Sequence, residues 1–395
     1  MDPQQPKQRA ISRRNAITAI TIAGAAPLLG ARTRDLGSEN QATLAAAAAR
    51  NGRFYGSAVR IHELQTEWDL REAVLRECWQ LVPEFEMNWN QIEPQHGQLS
   101  FDRVDALAAF ANANQKRLRG HCLIWHLGTP DWAAAILRQR HDWGLVARYF
   151  GSVMPRYGDV IQQWEVVNEA ILPGARSDGL RESVFLKTFG PDYINRAFYQ
   201  ARTFAPHGQL FINEYGLEYD IPEQRQRRYF MLKLLERLKN AGVPIDGLGL
   251  QAHLDLGNGR ISQSSIAAFL REVTGMKLAI IVTELDVKES NYIASAQERD
   301  RLVADEVRRY LDVLLSMPYV LGVTTWGLSD RHSWLEVTPE DYARFPHAWT
   351  HGDGPGLNRG LPFDSSMRPK PMYYALRSAL WHGRPEPRRL RTSGR

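Results

Sequence analysis

Cysteine is nearly missing from this chain, with only Cys78 and Cys122 in 395 residues. So low a count excludes a disulfide-scaffolded small domain, and without Cys-x-x-Cys spacing neither thioredoxin-like redox chemistry nor the common zinc sites are indicated. A Gly-rich phosphate loop after the first expected strand is also lacking, which removes the usual dinucleotide fingerprint. Apolar runs are short: residues 16–31 carry no charge but contain Gly24, Pro27 and Gly30 and fall below the roughly 20 residues that span a bilayer. Low complexity is confined to the alanine run 45–49, read as the end of a first helix. With 44% hydrophobic and 24% charged residues, the composition is that of an ordinary folded chain, neither disordered nor collagen-like.

The net charge of +5 raises the question of a nucleic-acid partner, and its distribution argues against one. Residues 1–36 carry six Lys/Arg against two acids, and the segment from Gly383 onward carries five Arg against Glu386, so each end contributes +4 and the body between is left at −3. At the N-terminus, Arg13 and Arg14 follow Ser12 and precede the uncharged 16–31 stretch. This is the layout of a twin-arginine export signal, which sits outside the fold. The domains expected are therefore an export signal with linker (1–36), one globular domain (40–382) and a basic tail (383–395), in a periplasmic or secreted protein without stable membrane insertion. An uncleaved anchor and a disordered basic tail ahead of a core helix are the alternatives. Export invites disulfides, but the two cysteines are expected at distant heights on neighbouring strands and hence as free, buried thiols.

Short β-rich runs alternate with amphipathic helical segments through the body. Strands are expected at 54–59, 79–84, 118–125, 161–168, 209–213, 247–253, 278–284 and 320–326. Among the helices, 222–240 is the clearest: Phe230, Leu234 and Leu238 recur at i+4 beside Met231 and Leu235, and Gly242 with Pro244 ends the run. Helices are also expected at 102–114, 145–157, 266–273 and 302–315. Eight strands separated by helices fit a single-domain α/β fold, a closed (β/α)8 TIM barrel with long top loops. A doubly wound open sheet is its rival.

In such a barrel, chemistry gathers at the C-terminal strand ends. The run QQWEVVNEA ends on Asn168 and Glu169, and LAIIVTELDV carries Glu284 after four apolar residues and Thr283. Two glutamates at the tops of two buried strands form the pair that glycoside hydrolysis needs, one to protonate the leaving oxygen and one to attack the anomeric carbon or activate water. Taken singly, each is equally a structural ion-pair partner. Other strand ends supply His121, Trp125 and His126, then Gln251 and His253, then Trp326 and Trp334. Aromatic faces stack on a pyranose, and amides and imidazoles bond its hydroxyls. Metal binding by His121, His126 and His253 is disfavoured, because residues five apart on a strand face opposite sides and no acid or thiol cluster completes the shell. No cofactor is expected.

These motifs together resemble glycoside hydrolase family 10, the retaining endo-β-1,4-xylanases, from about Leu44 through ARNGRFYGSAV to LPFDSSMRPKPMYYAL (361–376). The resemblance implies the barrel fold. The family's WDVVNEA is similar to WEVVNEA here, which implies the acid/base role for Glu169 and a sugar 2-hydroxyl contact for Asn168. ITELDI is matched by VTELDV, which implies Glu284 as nucleophile. GLQSHL is matched by GLQAHL, setting Gln251 and His253 beside the carboxylates with His253 orienting Glu284, and GHTLVWH by GHCLIWH. Trp326 and Trp334 match the tryptophans that line the cleaved subsite. Departures are equally specific. PENEMKW reads PEFEMNW, so Glu84 is kept, but Phe85 stands where an Asn is usual and Asn88 where a Lys is usual; both lost residues normally bond the sugar one place beyond the cleaved bond. Leu127 and Gly128 stand where Ser-Gln is common, and NDYN reads NEYG (213–216), which keeps Tyr215. A long loop after the eighth strand, at 335–360, carries Tyr342, Phe345, His347, Trp349 and His351. The implied activity is endo-acting, retaining cleavage of β-1,4-xylan by a monomer whose partner is its poly- or oligosaccharide substrate. The altered distal subsite keeps another β-glycan, a glucan or bacterial exopolysaccharide, as the alternative. A non-catalytic carbohydrate-binding barrel is the third reading.

Overall fold

The computed structural model describes residues 38–289, 294–335 and 358–385. The expected export signal and linker (1–36), most of the expected loop after the last strand (336–357) and most of the expected basic tail (386–395) lie outside the described residues.

The strands are β1 (Phe54–Val59), β2 (Gln80–Pro83), β3 (Arg117–Gly120), β4 (Ile161–Asn168), β5 (Gln209–Glu214), β6 (Gly247–Leu250), β7 (His253–Asp255), β8 (Ala279–Lys288) and β9 (Val320–Thr325). All pair in parallel, each with its neighbour in sequence, except that β6 passes over β7 to pair with β8; β9 then meets β1 and closes an eight-stranded ring. β7 joins only the outer end of β8, where His253 opposes Asp286. The expected barrel is therefore the observed one, and the open sheet is excluded.

Parallel strands connected by helices are covered on both faces, which is why β1, β2 and β6 are buried at every residue. Inside the ring, Phe54, Phe211 and Ile281 fill the lower layer, while Ala58, Val82 and Trp326 fill the upper one. Some of the polar side chains that enter this interior do so as a network. Gln80, Gln163 and Gln209 hydrogen-bond in series across β2, β4 and β5, at 2.8 and 3.0 Å. In the helical shell, Pro222–Asn240 has Pro at its first position, where no backbone N–H is needed, and turns Met231, Leu234, Leu235 and Leu238 inward. The alanine run is the body of helix Leu44–Arg50 rather than its end, capped by Thr43, whose hydroxyl accepts from the Ala46 N–H.

Three expected strands differ by more than one residue at an end. The run 118–125 is a strand only to Gly120; beyond it the chain leaves the sheet, with a cis peptide between His121 and Cys122 and a single bridge from Ile124 to Val167. The metal argument from alternation along that strand accordingly falls, since His121 and His126 are not on one. The run 247–253 breaks after Leu250, where Ala252 takes a positive φ of 59°. The run 278–284 continues to Lys288 because β7 supplies its outer half with a partner. Both cysteines are free and buried, as expected, and burial pushes each thiol up and out of reactive range. Among the described residues, no helix is long and apolar enough to cross a membrane.

Candidate active site

Asn168 closes β4, and Glu169 follows with a φ of 58°, a left-handed backbone that side chains other than Gly seldom adopt. This turn lifts the Glu169 side chain off the strand line, and its peptide N–H is held by the Asn213 carbonyl at 2.9 Å. Glu284 is reached differently. It is the sixth residue of the ten in β8 rather than its last, and only 4% exposed.

The two carboxylates are joined by side-chain amides. Gln251 Nε2 donates to Glu169 Oε1 at 3.3 Å and to Asn168 Oδ1 at 3.1 Å. Asn213 Nδ2 donates to the same Asn168 oxygen at 3.1 Å and to Glu284 Oε1 at 2.7 Å, while its own Oδ1 accepts from the Thr283 hydroxyl at 2.7 Å. Asn168 thus has its oxygen committed twice inside the protein, which leaves its NH2 group for an outside acceptor. Buried polar groups this fully paired keep one geometry, because losing any member strands its partners.

On the other side of Glu284, His253 lies between acids. Its Nε2 is 3.3 Å from Glu284 Oε2 and its Nδ1 is 2.8 Å from Asp286 Oδ1. Both neighbours are acceptors, so both ring nitrogens must donate. Burial opposes the charge, but Asp286 and then Glu284 outweigh it and hold His253 well above the usual imidazole range. The second Asp286 oxygen accepts from the Trp334 indole N–H. The Trp334 ring is 5.0 Å from His253, and Trp326 stands edge-on to His121 at 5.0 Å. Beneath, Glu165 accepts from His121 Nδ1 at 3.0 Å and from Arg119. Burial would discharge His121, yet the attraction of Glu165 and Glu284 raises it. His121, Cys122 and Glu165 bring three ligand-type atoms within 4.8 Å of one another, but both Glu165 oxygens already serve His121 and Arg119.

The structure therefore brings together Glu169, Glu284, Asn168, Gln251, His253, His121, Trp326 and Trp334. Trp125 lies 6.5 Å from His121, with its indole N–H buried and unpartnered among the described residues. Tyr215 follows β5 on the Glu169 side, where its hydroxyl accepts from Arg181 at 2.9 Å. Glu84 is gripped by both prongs of Arg60, at 3.0 and 2.8 Å, and the same guanidinium lies 4.9 Å over the Phe85 ring. Asn88 is buried and its Oδ1 accepts from the Cys122 thiol. Gly128 backs onto this spot: a Cβ there would come 3.1 Å from Trp125 and 3.6 Å from Asn88. The departures at 88 and 128 are hence one local change.

Sequence reasoning passed over Asn213, Asp286, Arg60 and Arg181. Asn213 and Asp286 had the same signal as Glu284, a polar residue in an apolar strand run. Arg60 and Arg181 stand in loops, where charge is unremarkable.

Residues 43–379 match glycosyl hydrolase family 10. Endo-1,4-beta-xylanase 1 of Humicola insolens is 30% identical over 333 residues, which cover 83% of this chain and 72% of that protein. Endo-1,4-beta-xylanase A of Caldicellulosiruptor saccharolyticus is 33% identical over 309 residues, covering 72% of this chain and 84% of its own length. Among solved structures, xylanase 10B from Thermotoga petrophila RKU-1 in complex with xylobiose superposes with a TM-score of 0.74 at 28% identity, over 87% of this chain and 98% of that one. With a match across the whole barrel and these relatives, the chain belongs to glycosyl hydrolase family 10 and is a xylanase-like glycoside hydrolase.

Proposed function

We propose that this enzyme cleaves β-1,4-linked xylan-type polysaccharide within the chain and with retention, using Glu284 as nucleophile and Glu169 as acid/base. The observation that supports this most is the chain Glu169–Gln251–Asn168–Asn213–Glu284, which gives the two carboxyl groups different surroundings within one network. In the first step a Glu284 oxygen bonds to the anomeric carbon as the glycosidic C–O bond breaks, and the Glu169 proton passes to the departing oxygen. In the second, Glu169 takes a proton from water, the water oxygen bonds to the anomeric carbon, and the Glu284 ester is released. His253, held charged by Asp286 and bonded to Glu284, orients that carboxyl for attack. Asn168 offers its free NH2 to the sugar 2-hydroxyl, and Glu84, His121, Trp125, Gln251, Trp326, Trp334 and Tyr215 line the sugar path.

Incubation with a 2-fluoro-xylobioside carrying a good leaving group is expected to label Glu284, and peptide mass mapping reads the site. Unlabelled protein, or label on another residue, overturns the assignment.

A second reading, the same chemistry on another β-glycan, is favoured by Arg60 and Phe85 at Glu84 and by the joint change at Asn88 and Gly128. It predicts poor kcat/KM on unsubstituted xylo-oligosaccharides and higher values on glucan or exopolysaccharide fragments; the reverse order discards it. For location we propose export through the Arg13–Arg14 signal. Replacing both arginines by Lys should retain the protein inside the producing cell, and unaltered export would remove the proposal.

A further inference from the structure

Arg181 is the charged residue nearest the Glu169 main chain that the reaction above leaves without a task. It sits at the foot of the loop that leaves Glu169, where Ile171 and Leu180 form an antiparallel bridge and the Arg181 N–H donates to the Ala170 carbonyl at 2.7 Å. From there its side chain turns back. Nε donates to the Glu169 carbonyl at 2.8 Å and Nη2 to the Tyr215 hydroxyl at 2.9 Å. The peptide groups flanking Glu169 are thereby fixed, through Asn213 on the amino side and Arg181 on the carbonyl side. Fixing is needed here, because a non-glycine residue at a φ of 58° persists only where its surroundings over-determine it.

We propose that Arg181 is the positioning residue of the proton-transfer step, clamping the Glu169 backbone to the Tyr215 hydroxyl so that the proton donor and the Tyr215 ring move as one unit. This rests on the reading of Glu169 as the acid/base. Tyr215 is itself held from below by Arg227, whose guanidinium lies 4.0 Å over the ring and is paired with Glu214 and Glu223. A planar guanidinium can serve a carbonyl and a hydroxyl in two fixed directions, which an ammonium cannot. The charge also reaches His126, whose Nδ1 lies 3.9 Å from Glu169 Oε2 and has no hydrogen-bond partner among the described residues. Burial and, secondarily, Arg181 push this imidazole down to about 3, so it stands neutral beside Glu169 and neither supplies nor competes for the proton.

The test is a series of aryl β-xylobiosides whose leaving groups span a wide pKa range, run with the full chain and with Arg181→Ala, Arg181→Lys, Tyr215→Phe and Glu169→Ala. A leaving group such as 2,4-dinitrophenolate departs without protonation, whereas phenolate needs it. In Arg181→Ala and Arg181→Lys, kcat/KM is expected to fall about 100-fold for the phenyl substrate and less than about fivefold for the dinitrophenyl one, a loss confined to acid-assisted departure. Tyr215→Phe, which keeps the ring and removes one anchor, should show the same tilt at about a tenth of the size. An equal loss on all leaving groups, no loss, or full activity in Arg181→Lys overturns the clamp. If Arg181→Ala does not fold, as judged by circular dichroism, a flat profile in Tyr215→Phe decides against it alone. Glu169→Ala separates the two claims: if it fails to tilt the series, the acid/base reading itself is wrong, and if it tilts while Arg181→Ala does not, only the clamp is.

Discussion

The side chain that connects most of the site is Asn213, a carboxamide with three partners and no exposure. Its NH2 group is what stabilises the Glu284 carboxylate at 2.7 Å, and its oxygen is taken by Thr283. Replacing it by Asp keeps the shape but puts an acceptor, and a second negative charge, against Glu284. Two carboxylates that close cannot both ionise, so one holds a proton near neutrality. Asn213→Asp is therefore expected to lower kcat/KM by about 100-fold near pH 6 and to move the acidic limb of its pH profile upward by a unit or more. An unchanged acidic limb would show that Asn213 does not govern the ionisation of Glu284. His253 should act in the same direction: His253→Ala removes a cation held between Glu284 and Asp286, and leaves Asp286 buried and bonded only by Trp334 among the contacts described. Both losses, in activity and in melting temperature, are expected together, the latter reflecting roughly 3 kcal/mol or more for a stranded buried charge.

At the scale of elements, β6 explains why Asn213 fits at all. Its sequence alternates Gly247, Leu248, Gly249, Leu250, and a Cβ at Gly249 would come within 2.1 Å of Asn213 Oδ1, just as one at Gly247 would come within 2.4 Å of the Phe211 ring. Gly249→Ala must displace the carboxamide, so it should cost about 1–3 kcal/mol in chemical denaturation and reduce kcat more than KM. A variant that is destabilised yet fully active would mean that Asn213 has room elsewhere. The glycines had been legible only as part of an apolar run, because what they avoid comes from β5. The same distinction runs through the other elements. Helix 222–240 was fixed by local signals, Pro at its start, an i+4 stripe and Gly242 after it, and it has the expected bounds. β3 ends at Gly120, although LIW reads as strand, because His121 turns inward to Glu165, which Arg119 also binds. β8 outruns its expected end because a partner strand, itself too short to read, extends it. Of the site, the two glutamates and their Asn, Gln and His neighbours were visible as polar breaks in apolar runs. The Arg60 and Arg181 contacts were not, since Arg60 reaches Glu84 at the end of the neighbouring strand and Arg181 turns back on Glu169 from its own loop.

Across the whole molecule, the charge that matters for stability is not the basic excess of the two ends but a set of largely buried carboxyl groups in a mildly acidic body. Glu63, Glu214 and Asp330 are each pushed up to about 7, in every case by burial first, despite Arg60, Arg227 and Lys370 beside them. A carboxyl whose folded value exceeds its unfolded one stabilises the fold below the unfolded value, and that contribution drains away as pH rises toward the folded one. The three together with His253, also raised, therefore give a melting temperature that declines between about pH 5 and pH 8. Below that window the slope reverses. Glu165, buried but held down by His121 and Arg119 against the effect of burial, contributes stability that is lost as pH falls through its lowered value. Glu214 is the group to test, being fully buried and not among the residues assigned to chemistry. Glu214→Gln keeps an acceptor for the Ile171 N–H, which Glu214 Oε2 now binds at 2.8 Å, and removes the titration. A shift from 4.5 to about 7 corresponds to roughly 3 kcal/mol at most, or a few degrees in a protein of this size, so the variant should melt no lower than the parent at pH 8 and should lose less between pH 5 and 8. Melting curves at half-unit pH steps give the answer. A parent curve that is flat or rising from pH 5 to 8, or a variant with an undiminished slope, would mean that Arg227 keeps Glu214 ionised and that burial does not prevail.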